Sequence, residues 1–334
     1  MKAALFRGTG QLEIAEVPDP RPGPGQALVR VAACGICGTD RHIFHGEFQT
    51  HPPVIIGHEY AGVITEIGPE VAGLRPGDRV AIDPNMPCGQ CAPCRRGQVH
   101  MCEHLTALGV DIDGGFAEYS VAPITQCFPL PENLSLVEGA MAEPVACCIH
   151  GMDLAGVRSG DTVAIIGGGA IGQIMAQLAR LQGAGRVIVS DLSAARREMA
   201  LELGADAVID PIAQDPLSAG QLLEGGANVV IEAVGSAATD AQAIAWAGRG
   251  GTVLWFGVTP PDQTVTVSPN LVFEKELTLR GARINPFTHG RALALLGSGR
   301  LEVGPLITRR ANIEELPGLL AAGPGDDIKT VIVP

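Results

Sequence analysis

Four of the nine cysteines in this chain fall within fifteen residues, in the stretch CGQCAPCRRGQVHMC, at Cys88, Cys91, Cys94 and Cys102. The spacing C-x2-C-x2-C-x7-C lets short loops wrap one tetrahedral ion, with zinc–sulfur distances of about 2.3 Å. A closed shell of four thiolates leaves no position for water or substrate. Zinc held there stabilises a lobe of the fold and does no chemistry. A disulfide reading of the same residues needs an oxidising compartment. The N-terminal MKAALFRGTG has too short an apolar stretch for a signal peptide, so the expectation is a reducing cytoplasm, where metal ligation is favoured.

A second pattern concerns phosphate and ribose. In TVAIIGGGAIG, Gly167, Gly169 and Gly172 satisfy GxGxxG directly after an apolar strand and at the start of a helix, with Ala170 and Ile171 inside the turn. The first glycine makes the tight turn, the second lets backbone approach a pyrophosphate, and the third lets helix and strand pack; the helix N-terminus supplies N–H donors. Asp191 closes the next strand, RVIVSD, about twenty residues on, where a carboxylate accepts hydrogen bonds from an adenosine ribose. A 2′-phosphate there meets like charge, which favours NAD over NADP. Arg196 and Arg197 follow closely and soften that preference.

The elements that must carry these residues change character near position 150. Before it, QALVRVAAC, YAGVITEIG, DRVAIDP and FAEYSVAP read as short strands between turns such as PGPG and RPGD, predicting a mostly antiparallel β lobe. After it, TVAIIG, RVIVSD, AVID, NVVIEAVG and GTVLWFG are strands of the kind buried on both faces, separated by helical stretches such as AIGQIMAQLARLQGA. That alternation predicts an α/β doubly wound parallel sheet. From about Asn285 the texture is mixed again and ends in the strand-like KTVIVP, which is expected to rejoin the first lobe. At 334 residues and 46% hydrophobic composition the chain is long enough for two cores. A formal charge of −13 argues against nucleic acid and anionic membrane surfaces as partners, leaving small molecules. The longest uncharged run, Val163 to Ala179, is shorter than a membrane span and broken by glycines.

GICGTDRH supplies Cys37, Thr39 and His42, IIGHEYAG supplies His58 and Glu59, and GAMAEPVACCIHG supplies Glu143. With these motifs, the four-cysteine stretch, DGGFAEY and GGGxIG all in order, the chain resembles the zinc-containing medium-chain alcohol dehydrogenase family, in the branch of sorbitol (polyol) and threonine dehydrogenases. The resemblance covers essentially the whole length. It implies a GroES-like catalytic domain over residues 1–148, completed by 285–334, and a Rossmann NAD-binding domain over 149–284. It also implies a second, open zinc site. Cys37 and His58 match two of its ligands; the third is Glu59 or Glu143, both anionic oxygen donors that suit zinc.

What the resemblance implies chemically is zinc lowering the pKa of an alcohol, whose carbinol carbon then passes hydride to nicotinamide. Thr39 matches the family's hydroxyl relay and His42 a relay position near the cofactor ribose; Glu59 or Glu143 offers another route for the proton. Cys34, Cys147 and Cys148 are read as packing, and His45, His51, His100, His104, His150 and His289 match no functional position. Carboxylates in the metal site favour a polyol substrate oxidised to a ketose. Threonine, another amino alcohol or a sugar-alcohol phosphate is the alternative, and a catalytically inactive NAD-binding regulator is the reading from another class. Arg283 and Asn285 are candidates for a distal hydroxyl or phosphate. Dimers or tetramers are expected, with the strands near GTVLWFG and LTLRG as contacts.

Overall fold

The computed structural model describes residues 1–213, 223–323 and 325–334. Short strands between glycine and proline turns fill the first part: β1 (Lys2–Gly8), β2 (Gln11–Glu16), β3 (Gln26–Gly35), β4 (Val54–Ile55), β5 (Glu59–Ile67), β6 (Arg79–Ile82), β7 (Asn85–Met86), β8 (Thr106–Ala107), β9 (Tyr119–Pro123) and β10 (Cys127–Pro129). Helices α1 (Gly38–His45), α2 (Ala92–Arg95), α3 (Leu136–Gly139) and α4 (Ala142–Ala155) accompany them. Strand and helix then alternate through β11 (Thr162–Ile166), α5 (Ala170–Leu181), β12 (Arg186–Ser190), α6 (Ala194–Glu202), β13 (Ala207–Ile209), β14 (Ala227–Glu232), α7 (Ala237–Trp246), β15 (Ala247–Trp255), α8 (Pro269–Lys275) and β16 (Thr278–Gly281). The last segment holds α9 (His289–Gly297), β17 (Ile307–Asn312), α10 (Leu316–Ala322) and β18 (Lys329–Val333). Two units result: Met1–Ala146 with Asn285–Gly299 and Val303–Pro334, and Cys147–Ile284 with Arg300–Glu302.

In the first unit, period-two alternation along β3 sends Ala27, Val29 and Val31 into a core shared with Ile64, Val80 and Ile82. The strands run β10-β6-β5-β3-β18-β17, with β9 also on β3; smaller sheets are β2-β1-β4 and β7-β8. KTVIVP does rejoin this unit: β18 pairs antiparallel with β3 through Val331 opposite Gly35. The pairing of β17 with β18 is parallel, unlike the rest of the sheet. A parallel pair needs a crossover, and α10 between the two strands supplies it.

The second unit is built on a parallel sheet in the order β13-β12-β11-β14-β15-β16. Chain order therefore reverses at β11, the topological switch point of a dinucleotide-binding fold. Its central strands β11, β12 and β14 are largely buried, which is why they read as apolar runs; Val163, Ala164 and Ile165 have no exposed surface. Residues 300–302 join this unit because Gln177 of α5 brackets Glu302 from both sides, donating to its carbonyl at 2.9 Å and accepting from its N–H at 2.8 Å. Among the described residues, no helix is long and apolar enough to cross a membrane.

DGGFAEY has a structural purpose. Gly115 N–H donates to the Gly57 carbonyl at 2.7 Å, Phe116 N–H to Ile56 at 3.0 Å, and the Asp113 carboxylate accepts from Ile55 N–H at 2.9 Å. These bonds clamp the segment leading into His58. A Cβ on Gly114 would lie 2.2 Å from the Gly57 carbonyl oxygen and 2.3 Å from the Gly109 Cα, all backbone that cannot yield locally. Gly290, in α9, faces open space. Gly114→Ala should therefore destabilise the protein by about 1–3 kcal/mol through overpacking. Gly290→Ala should stabilise it by roughly 0.5–1 kcal/mol through reduced helix entropy loss. Urea denaturation of both variants checks the contrast.

Candidate active site

Cys37 is the N-cap of α1, and His58 and Glu59 sit at the start of β5, so the β3–α1 connection and the β5 entry converge in the first unit. One ligand atom from each of Cys37, His58 and Glu59 lies within 4.8 Å of the other two. Glu143, buried in the first turn of α4, falls outside this set. Of the two candidate carboxylates, the fold thus places Glu59 beside Cys37 and His58.

Two residues that sequence reading passed over hold this group in place. Asp40, with no exposed surface, accepts from Cys37 N–H through Oδ2 at 2.7 Å, and its Oδ1 lies 3.4 Å from His58 Nδ1. With a carboxylate facing Nδ1, Nε2 is the nitrogen that would serve a metal once its proton is lost, as in metal sites generally. Burial by itself would depress the His58 pKa, but the charges of Asp40 and Cys37 overcome it and hold the imidazole well above its ordinary range. Asp40 had a legible signal, an acid three residues after an N-cap. Lys329 had none. Buried in β18, it forms an ion pair with Glu59 Oε2, made possible by Gly35 across the sheet, where a Cβ would lie 2.3 Å from that oxygen. The neighbouring charges, Glu59 foremost, raise the Lys329 pKa against the opposing effect of burial.

Thr39 Oγ1 is 3.7 Å from Cys37 Sγ on the first turn of α1. His42, one turn on, pairs through Nδ1 with Glu47 at 2.6 Å, so that Nε2 is the acceptor nitrogen when the ring is neutral. Asn285 is 3% exposed, its amide oxygen accepting from Asn85 Nδ2 at 2.5 Å, so its side chain anchors the chain where it re-enters the first unit. Arg283 lies in the second unit and is exposed.

Cys88, Cys91, Cys94 and Cys102 place their sulfurs within 4.8 Å of one another. The Cys91–Cys102 separation of 3.9 Å is close to the roughly 3.8 Å edge of a tetrahedron with metal–sulfur bonds near 2.3 Å. Backbone N–H groups of Cys88 and His104 point at Cys102 Sγ from 3.2 and 3.3 Å, and N–H groups of Cys94 and Glu103 draw the Cys91 thiol down to about 6. Donors aimed at sulfur favour thiolates, the form that binds zinc. Both residue sets fit that metal by number, type and charge of donor.

In the second unit, Gly168 N–H donates to Asp191 Oδ2 at 2.7 Å and Ser193 N–H to Oδ1 at 2.8 Å, locking the carboxylate beside the glycine turn. Gly167, at φ +101°, needs the left-handed conformation, and a Cβ on Gly172 would strike the Gly167 carbonyl oxygen at 1.8 Å. Gly169 is the N-cap of α5, and Ala170 and Ile171 form its first turn. Arg197 is engaged by the Asp191 and Leu192 carbonyls and by Asp210 at 2.7 Å; Arg196 Nη1 stands 3.9 Å from Asp191.

Comparison with known proteins agrees with this geometry. Residues 23–132 match the model of the alcohol dehydrogenase GroES-like domain and residues 170–294 that of the zinc-binding dehydrogenase. L-threonine 3-dehydrogenase of Pyrococcus horikoshii is 37% identical, covering 89% of this chain and 87% of its own. The chain belongs to the zinc-binding alcohol dehydrogenase family. Within it, this dehydrogenase falls in the sorbitol/threonine branch: D-altritol 5-dehydrogenase of Agrobacterium fabrum is 34% identical over 98% of the chain and 97% of its own length. A Sinorhizobium meliloti protein assigned as a zinc-binding dehydrogenase, solved with NADP, superposes with a TM-score of 0.97 at 44% identity, covering 100% of this chain and 99% of that one.

Because Asp40 orients both Cys37 and His58, Asp40→Ala should weaken metal binding at this site by roughly 10- to 100-fold. Chelator competition on the variant and the parent protein measures it, and the four-cysteine lobe should keep its ion.

Proposed function

We propose that this chain is an NAD-dependent dehydrogenase that oxidises a secondary hydroxyl of a polyol or sugar alcohol to a ketose. The observation that carries the reading is the mixed Cys37–His58–Glu59 donor set, in which a carboxylate stands where a purely thiolate and imidazole site would be less acceptor-rich. Relatives of this chain include enzymes named for D-altritol, D-arabinitol and sorbitol. Hydroxyl groups flanking the reacting carbon gain hydrogen bonds at such a site, whereas an aliphatic alcohol leaves polar groups unpaired.

The roles of the chain's residues follow from their chemistry. Cys37, His58 and Glu59 would hold zinc, two anions and one neutral ring, while the four cysteines hold a second, structural ion. Bound zinc supplies Lewis acidity that lowers the pKa of the substrate hydroxyl, and NAD supplies the hydride acceptor. Thr39 Oγ1 accepts the hydroxyl proton and passes its own onward. His42 Nε2, free as an acceptor because Nδ1–H is given to Glu47, receives it and releases it to solvent. Lys329 restrains Glu59 so that its second oxygen serves the metal.

For the cofactor, Asp191 is held by two backbone N–H groups with lone pairs to spare for the 2′- and 3′-hydroxyls of an adenosine ribose. Arg197 is committed elsewhere, which favours NAD. A homo-oligomer completes the reading: β16 edges the parallel sheet, and Phe273 of the preceding α8 is 82% exposed.

The second reading, a threonine or other amino-alcohol dehydrogenase, is favoured by the 37% identity to threonine 3-dehydrogenase. Steady-state rates with sorbitol, xylitol, arabinitol, galactitol, threonine and ethanol decide between them. The expected result is kcat/KM highest on a polyol, with NAD preferred to NADP. Threonine leading the panel replaces the substrate class, and preference for ethanol removes it. A preference for NADP overturns the Asp191 reading in favour of Arg196. Metal analysis should give two zinc ions per chain, falling to one in Cys37→Ala with activity lost; no change in Cys37→Ala would show that the catalytic ion is held elsewhere.

A further inference from the structure

Three crossover turns stand side by side at the carboxyl edge of the parallel sheet: residues 167–172 after β11, 233–236 after β14 and 256–258 after β15. Glu232, the last residue of β14, has no exposed surface and grips two of them. Its main-chain carbonyl accepts from Phe256 N–H at 2.9 Å and Gly257 N–H at 3.0 Å. Its carboxylate Oε1 accepts from Val234 N–H at 2.8 Å and Gly235 N–H at 2.9 Å. Oε2 fills the space above Gly257, where a Cβ would lie 2.6 Å away.

The turns interlock around that carboxylate. A Cβ on Gly235 would meet the Val258 carbonyl oxygen at 2.7 Å, and one on Gly257 the Gly235 nitrogen at 2.2 Å. Val234 in turn touches the glycine-rich turn, since a Cβ on Gly167 would lie 2.9 Å from its Cγ2. At the tips, Val234 and Val258 are 53% and 58% exposed, two valines in the open on adjacent turns. Burial pushes the Glu232 carboxyl above the ordinary carboxylate range, and the charge of Asp240 adds to this, against the stabilising N–H groups of Gly235 and Val234 and the Thr239 hydroxyl. An acid so placed is unfavourable unless its geometry is needed.

Direction along the sheet supplies the ligand. Asp191 ends β12, on one side of β11; β14 and β15 lie on the other. A dinucleotide with its adenosine ribose at Asp191 and its pyrophosphate on the glycine turn has only the β14–β15 side for its second half. We infer that Glu232 is a positioning residue that sets Val234 and Val258 as an apolar wall for the nicotinamide half of the cofactor. The inference rests on the dehydrogenase reading above.

The test is binding of NADH and of ADP-ribose, which lacks the nicotinamide, to zinc-loaded wild type, Glu232→Gln and Glu232→Asp by calorimetry. Glu232→Gln keeps an acceptor oxygen at full reach and should stay within about threefold of wild type for both ligands. Glu232→Asp is one methylene too short to accept both N–H bonds and should weaken NADH by roughly 10- to 100-fold with ADP-ribose unchanged. Undiminished NADH affinity in Glu232→Asp, or equal loss of both ligands, overturns the role of Glu232. Failure of the wild type to bind either NADH or NADPH overturns the dehydrogenase reading itself.

Discussion

The first unit gathers three acidic side chains, half-buried Cys37 and fully buried Asp40 and Glu59, around a single imidazole, and much of its architecture answers that electrostatic problem. Unpaired buried charge is prohibitively unfavourable, and a paired one is tolerated only with good geometry and satisfied lone pairs. Lys329 answers Glu59, Cys37 N–H and His58 answer Asp40, and a divalent ion on Cys37, His58 and Glu59 would offset what remains. The answer needs the C-terminal strand. β18 must lie on β3 for Lys329 to reach Glu59, and β3 must offer a glycine at position 35, opposite both Glu59 and Val331, for the pair to fit. The last strand of the chain thus serves the Cys37–His58–Glu59 group as much as the core.

The same economy appears in the second unit without any metal. Its sheet supplies a rigid edge, and single buried polar side chains set the loops above it. Asp191 is drawn to the glycine turn by Gly168 N–H, Gln173 ties the Gly168 carbonyl to the Arg196 carbonyl through one amide at 2.9 and 2.8 Å, and Glu232 joins the turns after β14 and β15. Glycines are needed where those turns meet, because backbone passes backbone at distances no Cβ allows. Binding surfaces on loops become precise when buried hydrogen bonds remove the loops' freedom, so little ordering is left for ligand binding.

Chemistry at the metal group would depend on a division of labour among oxygen and nitrogen groups that differ little in kind. Asp40 and Glu59 are both buried carboxylates within reach of His58, yet Asp40 spends its oxygens on an N–H and on the imidazole while Glu59 turns to Lys329 and the ligand cluster. Their surroundings decide their roles. His42 and His58 are likewise separated by their partners, an exposed Glu47 for one and a fully buried Asp40 for the other.

Local signals in the sequence determined a good deal. Cysteine spacing marked the four-sulfur lobe, GxGxxG marked the glycine turn between β11 and α5, and Asp191 stands beside that turn, because each of these depends on neighbours a few residues away or one strand–helix unit on. The apolar runs of β11, β12, β14 and the second half of β15 marked a parallel sheet, since burial on both faces leaves no polar alternation. Motifs matched to a family led to Cys37, His58 and the pair Glu59 and Glu143, but local sequence could not choose between the two acids. Tertiary structure placed Glu59 with the other two and left Glu143 aside, through the β3–β5 register that sets Gly35 against Glu59. It alone brought Lys329 across some 270 residues of chain to Glu59 and buried Asn285 against Asn85. It also made a two-turn clamp of Glu232, which in sequence is only the polar end of a strand. Contacts of that range depend on strand order and register, and those are properties of the assembled sheets, not of any stretch short enough to read.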